Sequence, residues 1–153
     1  MGVVAKNALK NNGTVLGITT PAIMGLEKPL KGAELAVVNT VQARKDDMIL
    51  LSDAFIILGG GIGTVDEAFS VLVGQQVGEH KKPIIFVNTN NFYNDLFEFI
   101  DVLDAHGFIS DLTKKRLHIT VAQDSKQAVD IINNLNKKGS KNAAKRKIIK
   151  TKK

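Results

Sequence analysis

Residues 55–67 read Phe-Ile-Ile-Leu-Gly-Gly-Gly-Ile-Gly-Thr-Val-Asp-Glu, and no other stretch restricts the fold as much. Ala54 to Leu58 is a continuous apolar run, the mark of a strand buried on both faces. Gly59 to Gly63 places four glycines in five positions. Thr64 to Val77 then reads as a helix. A bare tight turn needs only one or two glycines. Four suggest a backbone kept open to close approach, with the first amides of the helix and its dipole favouring a phosphate. A ligand-free turn is the competing reading.

The rest of the chain repeats the alternation. Helices are expected over Val3–Asn11, Thr40–Leu51, Phe92–His106 and Ser125–Leu135. Short strands are expected over Thr14–Ile18, Glu34–Val38, Pro83–Val87 and Leu117–Val121, with a loop over Ala22–Ala33. Strands alternating with helices imply an α/β fold: a Rossmann-like parallel sheet with helices on both faces. The chain opens inside a helix, not on a strand and glycine turn, so the fold is expected to be N-terminally truncated. Val41, Met48 and Leu51 should form the apolar stripe of their helix, and Phe92, Tyr93, Phe97 and Phe99 core and helix entry.

Charge divides the chain further. Residues 137–153 hold nine of the 21 basic residues and none of the 15 acidic ones, so residues 1–136 carry a net charge of −3. One nucleotide-binding domain over 1–136 is expected, followed by a basic, disordered tail over 137–153. The tail could touch nucleic acid, but no aromatic residue is interleaved to stack bases, so a solubilising role is preferred. No nucleic-acid partner is otherwise expected. Cysteine is absent and the three histidines lie far apart, so no metal site and no thiolate chemistry are expected. No apolar run is long enough to cross a membrane, and a cytoplasmic location is the default.

Several phosphate ligands can be sorted by spacing. A P-loop needs Lys after its last glycine, where Thr64 stands. A dinucleotide site wants a third glycine at Thr64 and an acidic residue after the next strand, which ends Val87-Asn88-Thr89. A mononucleotide remains. Glu67 is the best carboxylate candidate, although Thr64-Val-Asp-Glu67 is also a capping-box sequence, and spacing favours that structural role. Asp66 suits a positive helix end. Arg44 and Lys45 could bind phosphate or simply line a solvated face beside Asp46 and Asp47. His80 reads as a boundary residue.

Arg44-Lys45, Asp53-Ala-Phe55 and Gly60-Gly-Ile-Gly-Thr-Val-Asp-Glu67 together resemble the signature of the LOG family. These are cytokinin-activating nucleoside 5′-monophosphate phosphoribohydrolases, long mislabelled as lysine decarboxylases. Gln76-Val-Gly-Glu-His-Lys-Lys-Pro83, Asn91-Phe-Tyr-Asn-Asp-Leu96 and Gly107-Phe-Ile109 extend the resemblance over roughly residues 1–135. It implies hydrolysis of a purine nucleoside monophosphate, cytokinin-type or adenosine, to free base and ribose 5-phosphate, with no cofactor. By resemblance Glu67 and Arg44 are catalytic. Lys45 and the run Gly60, Gly61, Ile62, Gly63, Thr64, Val65 and Asp66 bind the substrate. A homodimer is implied too. A non-catalytic nucleotide-binding relative, or an inactive truncated member, is the alternative. The sequence departs from the family at Gly59, where Pro is usual, at Asp66, at Val41-Gln-Ala43, and at Val73 and Gly74. A glycine inside a helix, as at Gly74, costs about 1 kcal/mol against alanine.

Overall fold

The computed structural model describes residues 2–25, 30–135 and 137. The basic tail expected beyond residue 137 lies outside them. Packing divides the chain into two compact units, Met1–Ser52 and Asp53–Lys153.

The first unit runs α1 (Gly2–Lys10), β1 (Leu16–Thr19), α2 (Pro21–Met24), β2 (Glu34–Val37) and α3 (Val41–Leu51). α1 stops where expected: Asn12 turns left-handed at φ 58°, and Gly13 N–H returns to the Ala8 carbonyl at 2.8 Å. β1 and β2 pair in parallel, Leu16 opposite Glu34 and Thr19 opposite Val37. Thr20 caps α2 by accepting from Ile23 N–H, with Pro21 opening that helix; the expected loop over Ala22–Ala33 therefore begins with a helical turn. Thr40 caps α3 in the same way, through Ala43 N–H at 3.0 Å. The expected apolar stripe of α3 does not form a core, because Val41 and Leu51 are exposed. Among the described residues this unit buries only Thr19 and Thr20.

The second unit runs β3 (Phe55–Ile57), α4 (Ile62–Val77), β4 (Ile84–Val87), a 3₁₀ turn (Thr89–Asn91), α5 (Asn94–Ala105), α6 (Asp111–Arg116) and β5 (Ile119–Ala122). A further helix, α7, covers residues 125–135. The three strands are parallel in the order β3-β4-β5, with Phe55 opposite Ile84 and Ile84 opposite Ile119. Parallel strands joined through helices make the chain an α/β protein of Rossmann-like kind, as the alternation implied.

β4 anchors this unit. Ile84, Ile85, Phe86 and Val87 are all buried, and alternate side chains point to opposite faces, so both faces of the strand are covered. Burying each side chain stabilises the fold by about 1.5–3 kcal/mol. Phe86 meets Tyr93 and Phe97 edge-on at 5.0 and 5.5 Å. Val87 and Ile85 pack with Ala122 and Ala128 against Leu58, Ile131 and Ile132. β3 is less covered than its apolar run suggested: Ile57 is buried, but Ile56 is 39% exposed. Of the expected aromatic cluster, Phe92 and Phe99 are exposed too.

Two elements differ from the sequence reading for local reasons. α5 starts at Asn94 and not at Phe92, because Asn90 and Asn91 adopt left-handed φ of 55° and 61°. The sequence reading assigns no element between His106 and Leu117, yet Ser-Asp-Leu-Thr-Lys-Lys-Arg carries its own helix signals and forms α6. Ser110 caps it through Thr113 N–H, Asp111 sits in the first turn, and three basic residues close the last.

α4 is tied to its surroundings by polar residues that periodicity could not rank. Gln75 is buried; its amide donates to Lys82 O at 2.8 Å and accepts from His118 N–H at 3.0 Å. Gly78 ends the helix at φ 89°, a conformation that suits glycine. Gly74 has a different reason. A Cβ there would lie 2.8 Å from Cδ2 and Nε2 of His80, whose ring also tilts against Phe55. The glycine is thus a seat for the histidine, not a weak spot in the helix.

Gly74→Ala should destabilise the protein by about 1–3 kcal/mol in urea unfolding, despite alanine's better helix propensity. His80 adds a pH dependence. Lys82 N–H donates to its Nδ1 at 3.3 Å. Burial holds the imidazole below its ordinary 6.5 and Lys82 adds to this, opposed by the Val71 carbonyl and Glu79. The unfolded chain therefore takes the proton more readily. The stabilisation is complete above 6.5 and is lost as pH falls through the lowered value. Urea midpoints measured above and well below that pH should drop more for the wild-type chain than for His80→Gln.

Candidate functional site

The glycine segment leaves β3 at Leu58 and enters α4 at Ile62, two residues earlier than the sequence suggested. Gly61 is the N-cap, with extended backbone and no side-chain cap. The N–H groups of Thr64 and Val65 turn back to the Gly61 carbonyl at 3.0 and 3.2 Å. Ile62 and Gly63 are the first two helical residues, and helical amides at these positions have no partner within the helix. None takes an acceptor among the described residues.

The glycines serve space rather than unusual torsion angles. None of Gly59, Gly60, Gly61 and Gly63 has positive φ. A Cβ on Gly60 would fall on the Thr64 hydroxyl and lie 2.8 Å from its Cβ, so the hydroxyl sits directly against the loop. Gly59 lies beside the ring of Phe92. Nothing stands within 4 Å of a Cβ at Gly61 or Gly63, and Ile62 is 87% exposed. The positive end of α4 is thus an open, amide-bearing surface, with the Thr64 hydroxyl against Gly60. An anion is the ligand such a surface favours.

Glu67 does not make the capping box that its spacing suggested. Thr64 is the third helical residue and not the cap, so Glu67 falls in the second turn. It lies four residues after Gly63, on the same helical face, and is half-buried. Asp66 is exposed, and its carbonyl accepts the Ser70 hydroxyl at 2.8 Å. The expected charge–dipole role of Asp66 in the first turn is absent, because no acidic residue sits there. Val65 is half-buried.

Arg44 and Lys45 lie on α3 of the first unit, both half-buried. The Arg44 Nε donates to the Ile18 carbonyl of β1 at 2.8 Å, which pins the guanidinium at one nitrogen and fixes its plane. Gln42 bonds Asp46 at 2.7 Å on the same helix. The sequence-selected residues thus fall into two groups: residues 60–67 on one loop and helix end, and the Arg-Lys pair on α3. Sequence reading placed Tyr93 with the core and helix-entry aromatics and in the Asn91–Leu96 match, but gave it no role at the loop; its hydroxyl donates to the Leu58 carbonyl at 2.6 Å.

Among the described residues no three His, Cys, Asp or Glu side chains gather to hold a metal, and no helix is long and apolar enough to cross a membrane.

A family model described as "Possible lysine decarboxylase" matches residues 1–132. A cytokinin riboside 5′-monophosphate phosphoribohydrolase of Rhodococcoides fascians is 36% identical over 134 residues, 86% of this chain and 67% of that protein. One from Arabidopsis thaliana is 36% identical over 132 residues, 84% of this chain and 60% of its own length. One from Oryza sativa subsp. japonica is 34% identical over 114 residues, 72% of this chain and 46% of its own. The matched region therefore spans between 46% and 67% of these relatives' length.

The loop geometry separates two glycines only three positions apart. Gly60→Ala should cost about 1–3 kcal/mol, since Thr64 must move aside. Gly63→Ala, helical and in open space, should gain up to about 1 kcal/mol. Urea unfolding of both variants checks the contrast.

Proposed function

The chain belongs to the LOG family, and on that premise we propose that it hydrolyses the N-glycosidic bond of a purine nucleoside 5′-monophosphate. Water adds to C1′ of the ribose, the C1′–N9 bond breaks with its electron pair going to the base, and the proton from water ends on the base. Free base and ribose 5-phosphate leave. The base is adenine or an N6-modified, cytokinin-type adenine.

One observation carries the reading: an uncapped helix end at Gly61, open beside Gly61 and Gly63, with a carboxylate on the same face one turn further on. The 5′-phosphate sits at the amides of Ile62 and Gly63, where the helix dipole favours its charge. Gly60, Gly61, Thr64, Val65 and Asp66 complete the binding loop, and the Thr64 hydroxyl adds a donor. Bond breaking develops positive charge on the ribose, as in glycoside hydrolysis. Glu67 stabilises that charge and places the attacking water. The Thr64 amide bonds the Gly61 carbonyl and makes no capping box with Glu67. By family resemblance Arg44 is the second catalytic residue and Lys45 a binding residue. The same resemblance proposes a homodimer, and a cytoplasmic location remains the default expectation.

Lysine decarboxylation finds no support, because no lysine lies in a recognisable cofactor setting.

Incubation with adenosine monophosphate and N6-modified analogues, followed by chromatography, tests the proposal. Free base with ribose 5-phosphate is expected. Glu67→Gln should lower the rate by about 100-fold or more while retaining nucleotide binding. Binding without base release by the wild-type chain would make it a non-catalytic relative.

A further inference from the structure

The glycine run poses a mechanical problem. Gly59, Gly60 and Gly61 carry no side chains, and ordering three glycines costs more conformational entropy than ordering other residues. An anion site gains affinity when its donors are already in place. Something outside the run has to hold it.

Tyr93 is placed to do so. It is 2% exposed, and its hydroxyl donates at 2.6 Å to the carbonyl of Leu58, 35 positions earlier and immediately before the first glycine. Since the peptide unit is planar, fixing the Leu58 carbonyl also fixes the direction of the Gly59 N–H. The phenol itself is held firmly. Its backbone N–H donates to Asn88 Oδ1 at 2.7 Å, and Asn88 Nδ2 donates to Asn94 Oδ1 at 2.9 Å. Asn88 N–H donates to Ala122 O at 2.7 Å, which ties the group to β5. The left-handed Asn90 and Asn91 bring the chain round so that Phe92 lies along Gly59 and meets Tyr93 edge-on at 4.9 Å. Burial pushes the phenol above its usual range, so it stays a neutral donor.

We propose that Tyr93, braced by Asn88, is a positioning residue that presets the glycine loop for the 5′-phosphate. This rests on the phosphate reading of that loop. Tyr93 touches no reacting atom. It acts through the Leu58–Gly59 peptide, and Phe92 closes the side of the loop that glycine leaves open.

Tyr93→Phe in the full chain removes the hydroxyl and keeps the ring. Ile131→Val, which trims the core beside Val87 and Ala122, serves as a control for general destabilisation. Two measurements are compared: ¹⁵N relaxation at Gly59, Gly60 and Gly61, and titration with ribose 5-phosphate. In Tyr93→Phe the loop order parameters should fall from about 0.85 toward 0.6 or below. Its affinity for ribose 5-phosphate should weaken about five- to tenfold, the worth of one hydrogen bond. Ile131→Val should change neither. Wild-type loop order and affinity in Tyr93→Phe, or equal changes in Ile131→Val, would overturn the brace. A wild-type chain that ignores ribose 5-phosphate would instead overturn the phosphate reading, and relaxation would still decide whether Tyr93 orders the loop.

Discussion

Burial of β4 on both faces is the constraint from which the second unit follows. A strand of four apolar residues with no exposed side has to be covered above and below. Phe86 draws Tyr93 and Phe97 onto one side, and Val87 and Ile85 draw α7 and Ala122 into contact. Once Tyr93 is fixed by Phe86 and Asn88, its hydroxyl reaches Leu58, and the exit of β3 is set. The glycine loop is thus positioned from the core outward. The first unit has no counterpart, since its apolar residues stay exposed or half-buried among the described residues.

Glycines in this chain answer three different physical demands, and the sequence alone could not tell them apart. Gly78 takes a left-handed helix end. Gly60 makes room for the Thr64 hydroxyl, and Gly74 for the His80 ring. Gly74 looked like a departure with a propensity cost, because its partner lies in the following loop and nothing local announces it. The glycines of the loop looked like candidates for positive φ, yet their torsion angles are ones other residues adopt. What they provide is room, for Phe92 beside Gly59 and Thr64 beside Gly60 and as open space at Gly61 and Gly63, which only coordinates reveal.

Much of the fold was legible because its signals are local. Asn12-Gly13 stops α1, Thr40 starts α3, and the run before Gly59 marks β3. Failures came where neighbours outweigh local pattern. The stripe of α3 has helical spacing but lacks cover from its own unit. The start of α5 shifted because two asparagines accepted left-handed turns. α6 was missed although Ser110, Asp111 and the basic run were all readable, so that error belongs to the reading and not to the physics. In the site, residues 60–67 were recognisable from glycine spacing, whereas the anchoring of Arg44 on Ile18 and of Leu58 by Tyr93 joins residues 26 and 35 positions apart.

The missing cap on α4 bears on what the loop is for. A serine, threonine or aspartate at position 61 would satisfy a helix amide and stabilise the protein by about 1 kcal/mol. Glycine there forgoes that gain, and a second glycine at position 63 forgoes helix propensity as well. Neither is required by torsion angle or by crowding, since both have ordinary φ and open surroundings. Gly61 and Gly63 leave the positive end of α4 without a capping side chain or a Cβ beside it, which is what the proposed phosphate site requires. A capping side chain would compete with a phosphate for the same amides. The capping-box reading of Glu67 fails for a related reason: the helix begins at Ile62, so Thr64 turns its hydroxyl onto Gly60 while the carboxylate lies one turn further along.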